Sequence, residues 1–212
     1  MMRRLMFLTL ASLLVATVVG SGQARADFEL IYEPTPFNGL AAAPGTFVYS
    51  AAFNTQIDAG TGSPAETLTA GSFVTLYDFP GLITSKLLDG FGSEFTLTQQ
   101  NLGASPLFTS APDSATLPNF TLTYTGPTLS ASITFTNVFT LTSSLTGTSP
   151  GSGFFAGQDT KGSGPSTGSP IGSVGRITMP SGAVPEPASM MMLGTGLVAA
   201  GLVGRSRRRV QG

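Results

Sequence analysis

The chain has 212 residues, with ten Lys or Arg, eleven Asp or Glu, and no His, Cys or Trp. Its length suits one ordinary domain. The absence of Cys excludes disulfides, thiolate nucleophiles and Cys-ligated zinc, and the absence of His removes the usual neutral-pH base. Most standard hydrolase mechanisms are therefore excluded. Seven basic residues lie near the termini, so residues 27–187 carry all eleven acidic but only three basic side chains, a net charge of −8, which argues against nucleic-acid binding.

The N-terminal residues 1–26 have the three parts of a secretory signal peptide. Arg3 and Arg4 form a basic start, residues 5–19 are an apolar stretch, and Ala24 and Ala26 form a small-x-small signal peptidase site. The apolar stretch is short for a membrane span of about 20 residues. We therefore expect signal peptidase to cleave after Ala26, and an uncleaved N-terminal anchor is the alternative.

The body, residues 27–183, has the two-residue alternation of β-strands rather than helical periodicity. Residues 120–125 are the clearest case, since large apolar side chains alternate with three threonines. A Gly-Pro turn and a second alternating stretch predict a β-hairpin over residues 119–138. The other predicted strands are residues 28–32, 46–53, 71–78, 94–98 and 173–179.

Short strands separated by turn residues indicate an all-β fold, an antiparallel β-sandwich of jelly-roll or immunoglobulin-like type. One segment interrupts the pattern, because residues 147–170 are mostly Gly, Ser, Thr and Pro. Such a composition offers little apolar surface to offset its ordering entropy. We predict a flexible Gly/Ser-rich loop there, either a binding loop or, more simply, a surface excursion.

The C-terminal segment, residues 184–212, reads as a membrane-directed tail. Pro185, Glu186 and Pro187 form a strip that cannot join a helix or a central strand. The uncharged run 188–204 follows, and as a transmembrane helix it would be about 26 Å long, close to the bilayer thickness. Its end is marked by a basic cluster that should halt translocation and stay cytoplasmic, namely Arg205, Arg207, Arg208 and Arg209.

This order of a Pro-Glu-Pro signature, a short Gly-rich apolar helix and a terminal Arg cluster closely resembles the PEP-CTERM protein-sorting domain. The resemblance covers about 28 residues at the C-terminus. It implies that exosortase, a membrane enzyme of Gram-negative bacteria that also make exopolysaccharide, recognises and cleaves the tail. An ordinary tail anchor with a proline-rich stalk is the alternative.

Residues that could carry chemistry in the body are few. Asp78, Asp89 and Glu94 are the carboxylates that a glycoside hydrolase would use, but no motif fixes their geometry. Asp89, Ser93 and Glu94 form a weak calcium candidate without the EF-hand pattern. Asn119 lies in a glycosylation acceptor sequence but more simply begins a strand. We predict no cofactor and no catalytic residue.

The sequence therefore predicts a non-enzymatic protein that is exported, held in the inner membrane during sorting, and then placed at the cell surface or outside the cell. Its partners would be signal peptidase, exosortase and, in the matrix, exopolysaccharide. The first alternative is a carbohydrate-binding module using exposed Tyr77, Tyr124 or Phe154, since Trp is absent. A carboxylate-dependent glycoside hydrolase is the second.

Overall fold

The computed structural model describes residues 27–35, 42–107 and 109–182. The predicted signal peptide, Pro-Glu-Pro strip, helix and basic cluster lie outside these residues. The described chain forms ten strands: β1 (Asp27–Glu33), β2 (Thr46–Asn54), β3 (Glu66–Thr67), β4 (Phe73–Leu76), β5 (Leu82–Leu87), β6 (Phe95–Gln100), β7 (Asn119–Tyr124), β8 (Ile133–Ser143), β9 (Gly147–Lys161) and β10 (Pro170–Ser181). Over these ranges it contains no helix long and apolar enough to cross a membrane.

The strands form two antiparallel sheets. The four-stranded sheet has the order β1-β2-β8-β5, and the six-stranded sheet has the order β10-β9-β4-β7-β6, with β3 paired to β9. Each strand predicted from alternation is confirmed, with ends shifted by a few residues. The all-β class is therefore established, and the jelly-roll or immunoglobulin-like type stays a prediction.

A single aromatic-rich core joins the two sheets. Phe28 of β1 stacks on Phe95 of β6 with ring centroids 6.4 Å apart, and Phe135 of β8 meets the same Phe95 ring edge-on at 4.9 Å. All three side chains are buried. Rings from facing sheets therefore meet directly in the core. In β7 the apolar face that alternation predicts is the one buried in this core, namely Phe120, Leu122 and Tyr124.

The predicted hairpin over residues 119–138 is wrong. β7 pairs with β4 and β6 in the six-stranded sheet, whereas β8 pairs with β2 and β5 in the other sheet. The segment between β7 and β8 pairs instead with the residue after β3, since Leu129 and Leu68 exchange two backbone hydrogen bonds of 2.9 Å. Alternation predicts two strands joined by a turn, but it does not distinguish a hairpin from a crossing between sheets.

The predicted flexible loop over residues 147–170 is also wrong. Gly147–Lys161 is the longest strand, Pro170–Ser181 pairs with it, and only residues 162–169 connect the two. Its glycines lie beside large side chains: Gly175 is opposite Phe155, whose ring covers it, and Met179 packs over Gly153. A few large residues thus cover the glycine backbone and supply the apolar surface that composition alone underestimates.

Candidate functional site

The C-terminal end of the body is the end of β10. Ser181 pairs with Gly147 of β9, so the strand remains in the sheet up to its last residue. The hydroxyl of Tyr49 in the four-stranded sheet donates to the carbonyl oxygen of Thr178 at 3.2 Å. The end of β10 is therefore tied to both sheets, and the chain beyond it starts from a fixed position.

A pocket of about 270 Å³ opens beside this end of β10, and we call it the Asp78 pocket. Met179 and Pro180 of β10 form one wall, and the segment after β4 supplies Asp78. The remaining lining residues are mostly apolar: Tyr77, Pro80, Pro112, Leu117, Ser152, Gly153 and Phe154. An apolar concavity with a few polar groups is the usual form of a small-molecule site.

Asp78 is held in an unusual backbone conformation, with φ of 56°. Its backbone N–H donates to Oδ1 of Asn119 at 2.6 Å, and its own Oδ1 accepts the Ser114 backbone N–H at 2.8 Å. Asp tolerates left-handed backbone better than most residues. The carboxylate is thus fixed by its neighbours before any ligand arrives.

Asn119 organises the loops beneath the pocket. Its side chain is fully buried, and its Nδ2 donates to Asn101 O at 3.0 Å and to Asp113 Oδ1 at 2.8 Å. With the bond from Asp78, one carboxamide joins three segments of the chain. The sequence indicated a strand start and a glycosylation acceptor sequence here, and an isolated Asn carries no signal that would reveal the network.

Phe154 is the aromatic side chain on the wall of the Asp78 pocket. It is half-buried, and the Arg176 guanidinium lies over its ring at 4.4 Å from the centroid. Arg176 also donates to the carbonyl oxygen of Gly151 at 3.1 Å. This cation–π contact fixes one face of the ring and places a positive charge beside the pocket.

The other two predicted sugar-stacking residues are not exposed. Tyr77 and Tyr124 are each 1% exposed. Their hydroxyls donate to loop carbonyl oxygens, of Ala104 at 2.7 Å and Pro127 at 2.6 Å respectively. Burial raises the pKa of both phenols. The expectation of exposed aromatic rings is therefore wrong for both tyrosines, because each side chain fills space under a loop.

The candidate carboxylates do not form one group. The Asp78 N–H bonds the side chain of Asn119, while the Glu94 carbonyl oxygen accepts the Thr125 N–H at 2.7 Å. These contacts lie at opposite ends of β7, roughly 20 Å apart at about 3.3 Å per residue. Glycosidase carboxyl pairs are about 5–9.5 Å apart, so Asp78 and Glu94 do not make such a pair.

The calcium candidate lies in the connection between β5 and β6. The Asp89 side chain is 96% exposed and its Oδ1 is 3.6 Å from the Lys86 ammonium. The carbonyl oxygens of Ser93 and Glu94 both accept hydrogen bonds from Thr125. Across residues 27–35, 42–107 and 109–182, no three His, Cys, Asp or Glu gather as a metal-binding group.

A second pocket, of about 570 Å³, lies between the residues after β2 and the turn that follows β9. Asp58 and Lys161 line it, together with the buried Glu66. Hydrogen bonds from the Gly60 N–H and the Ser163 hydroxyl lower the pKa of Asp58. The Gly60 bond closes the turn that contains Asp58, and the Ser163 bond connects that turn to the segment after β9. These two bonds account for Asp58 as a residue that stabilises this part of the fold.

The described chain is thus an all-β domain whose last strand leads directly into a C-terminal segment of separate character. That segment, residues 183–209, matches the family model of the PEP-CTERM protein-sorting motif. The chain carries this motif, which confirms the predicted resemblance and implies an exported protein that exosortase targets. No match to the chain was found among curated proteins or among solved structures.

Proposed function

We propose that the protein is a non-enzymatic component of the cell surface or the extracellular matrix, delivered by its two termini. Signal peptidase removes residues 1–26, and exosortase then recognises Pro185, Glu186 and Pro187 while the 188–204 helix and its Arg cluster hold the chain in the inner membrane. The observation that carries the proposal is the sorting-motif match at residues 183–209.

The position of the fold relative to the motif supports this order of events. β10 ends at Ser181, and the motif match begins at residue 183. Three residues lie between Ser181 and Pro185, and the four Cα-to-Cα steps span at most about 14 Å of extended chain. An enzyme that binds the Pro-Glu-Pro strip therefore also comes close to the end of the folded body.

The sorting role is tested by replacing Pro185 and Pro187 together with Ala in a host that has exosortase. We expect the C-terminal segment to be retained and the protein to stay with the inner membrane, as read by intact mass and fractionation. Pro165→Ala, in the exposed turn between β9 and β10, is the matched control and should be processed normally. Normal processing of the Pro185/Pro187 double variant would disprove the role of the strip.

The non-enzymatic part of the proposal is supported by the geometry of the acidic residues. Asp78 and Glu94 are separated by the length of β7, and Asp89 projects into solvent beside Lys86. This arrangement supports a structural or binding component over a hydrolase that pairs Asp78 with Glu94.

A second candidate function is binding of a saccharide in the Asp78 pocket. Oδ1 of Asp78 is taken by Ser114, and Oδ2 accepts no hydrogen bond from the described residues, so it is available to a sugar hydroxyl. Ser152 adds a hydroxyl and Phe154 an apolar ring at the same pocket. The volume of about 270 Å³ suits one sugar unit rather than a long chain.

This second function is tested by retention on immobilised exopolysaccharide from the producing strain, at low salt. Asp78→Asn keeps the side-chain shape, the acceptor for Ser114 and the tolerance of positive φ, so loss of retention would report on the charge alone. Asp89→Asn is the control, because that carboxylate is exposed and distant from the pocket. Equal retention of both variants and the wild type would argue against binding at Asp78.

A further inference from the structure

The two sheets have four edge strands among the described residues. β1 and β5 border the four-stranded sheet, and β10 and β6 border the six-stranded sheet. An edge strand presents unpaired N–H and C=O groups that can pair with another chain. Native proteins block such pairing with charged side chains, Pro or a β-bulge.

Both edges of the four-stranded sheet carry this protection. β1 has carboxylates at Asp27, Glu29 and Glu33 within its seven residues. β5 has the exposed Lys86, and its pairing with β8 is irregular between Leu82 and Thr84. A strand from another molecule would meet charge at one edge and an interrupted backbone at the other.

The β10 edge of the six-stranded sheet is protected as well. It begins and nearly ends with proline, at Pro170 and Pro180, and carries Arg176. Its register with β9 shifts between Ile177 and Met179. Near its start, Pro106 and Thr109 of a loop lie close over Gly172, which leaves less of this edge open.

β6 has none of these features. Its six residues, FTLTQQ, contain no charge and no proline, and its register with β7 is continuous from Phe95 opposite Tyr124 to Gln100 opposite Asn119. Thr96, Thr98 and the two glutamines are exposed. Within the described part of the chain, β7 is the only strand that pairs with β6.

We propose that β6 pairs antiparallel with β6 of a second copy of this chain. Such a pair has a two-fold axis at Thr98, near the strand centre, so Thr98 lies opposite Thr98 of the second copy and the two six-stranded sheets become one continuous sheet. At a two-fold interface the same surface patch of each copy meets. Pairing through β1, β5 or β10 would therefore bring like charges together. At β6, threonine and glutamine meet instead, and cross-strand Thr pairs are favourable.

The net charge of the body strengthens the choice of β6. Residues 27–183 carry ten acidic and three basic side chains, a net charge of −7, so two copies repel each other least when they approach through an uncharged surface. β6 provides that surface in a strand of ordinary length. Pairing through it leaves the end of β10 accessible, because β10 is the opposite edge of the six-stranded sheet.

The pairing is tested by single cysteines, because the wild-type chain has none. Thr96→Cys, Thr98→Cys and Gln100→Cys are produced separately as the full chain in its exporting host. Cα atoms of facing residues in an antiparallel pair are about 4.5–5.5 Å apart, within the range that a disulfide spans. Thr84→Cys on β5 is the control, since it is also exposed on an edge strand.

We expect at least one of the three β6 variants to give a dimer on a non-reducing gel that reducing agent converts to monomer, while Thr84→Cys remains monomeric. The proposal is overturned if none of the three gives more dimer than Thr84→Cys. A second measurement uses sedimentation of the mature protein purified from the same host. In sedimentation, Thr98→Lys should weaken dimerisation at least about tenfold, because it places two lysines opposite each other. The control Thr84→Lys should leave dimerisation unchanged. Wild-type protein that stays monomeric at all concentrations would also refute the pairing.

Discussion

The side-chain oxygen of Asn119 accepts the backbone N–H of Asp78 at 2.6 Å, across 41 positions of the sequence. The bond fixes the left-handed backbone of Asp78 and connects the start of β7 to the segment after β4. Since the same carboxamide also donates to Asn101 and Asp113, loss of this one side chain leaves several buried groups without partners.

Asn119→Ala should lower the free energy of unfolding by about 2–3 kcal/mol, because buried polar groups lose their hydrogen bonds. The measurement is urea denaturation. Asn54→Ala is the matched control: Asn54 also donates to a carboxylate, Glu29, but in an exposed pair, and its loss should cost under about 0.5 kcal/mol. Similar stabilities for the two variants would contradict the role given to Asn119.

Gly157 of β9 has no room for a side chain. A Cβ there would overlap the carbonyl oxygen of Phe28 in β1, where the two sheets approach each other. Gly157→Ala should therefore destabilise the fold by about 1–3 kcal/mol, since β1 must shift. Gly92→Ala is the control, because a Cβ at Gly92 meets nothing within 4 Å. Thermal unfolding of both variants should separate them clearly, and a Gly157→Ala midpoint equal to that of Gly92→Ala would refute the close approach.

Phe95 is the aromatic residue on which rings from both sheets converge. Its ring centroid lies 4.9 Å from Phe135, 5.4 Å from Tyr124 and 6.4 Å from Phe28. Phe95→Ala should cost about 3–5 kcal/mol through lost burial and a residual cavity. Phe154→Ala, which removes a half-buried ring outside this core, should cost about 1 kcal/mol. Chemical denaturation tests the difference, and comparable losses would show that Phe95 is not central to the core.

Stability should be nearly independent of pH between about 6 and 9, because the chain has no His or Cys to titrate there. Above about pH 10 it should fall. Burial raises the pKa of all four tyrosines, Tyr32, Tyr49, Tyr77 and Tyr124, so the unfolded chain loses its phenol protons first and is favoured as pH rises. Urea midpoints across pH 6–11 give the profile, and a decline between pH 6 and 8 would contradict it.

At acid pH the contribution of Asp58 makes stability fall as the pH is lowered, the opposite direction to the alkaline effect of the tyrosines. Hydrogen bonds from Gly60 and Ser163 lower the pKa of Asp58 in the folded chain. Its ionised carboxylate therefore stabilises the fold above the unfolded pKa of about 4, and this stabilisation is lost as pH falls through the folded pKa. Asp58→Asn should remove this part of the acid dependence while leaving the alkaline decline unchanged. The same urea titrations, extended to pH 2.5, provide the comparison.

The sequence by itself determined the features that depend on near neighbours. Alternation at residues 120–125 predicts a strand because successive side chains point to opposite faces, and the structure confirms it as part of β7. The Pro-Glu-Pro strip, apolar run and Arg cluster are read from their order alone, and the match at residues 183–209 confirms the motif.

Only the tertiary structure decided what depends on distant partners. β7 lies between β4 and β6 rather than beside β8, the glycines of β9 and β10 are covered by Phe155 and Met179, and Tyr77 and Tyr124 are buried under loops. The physical reason is the same in each case. Strand pairing, glycine packing and burial are set by groups far apart in the chain, and a local pattern of polar and apolar residues does not contain their identity.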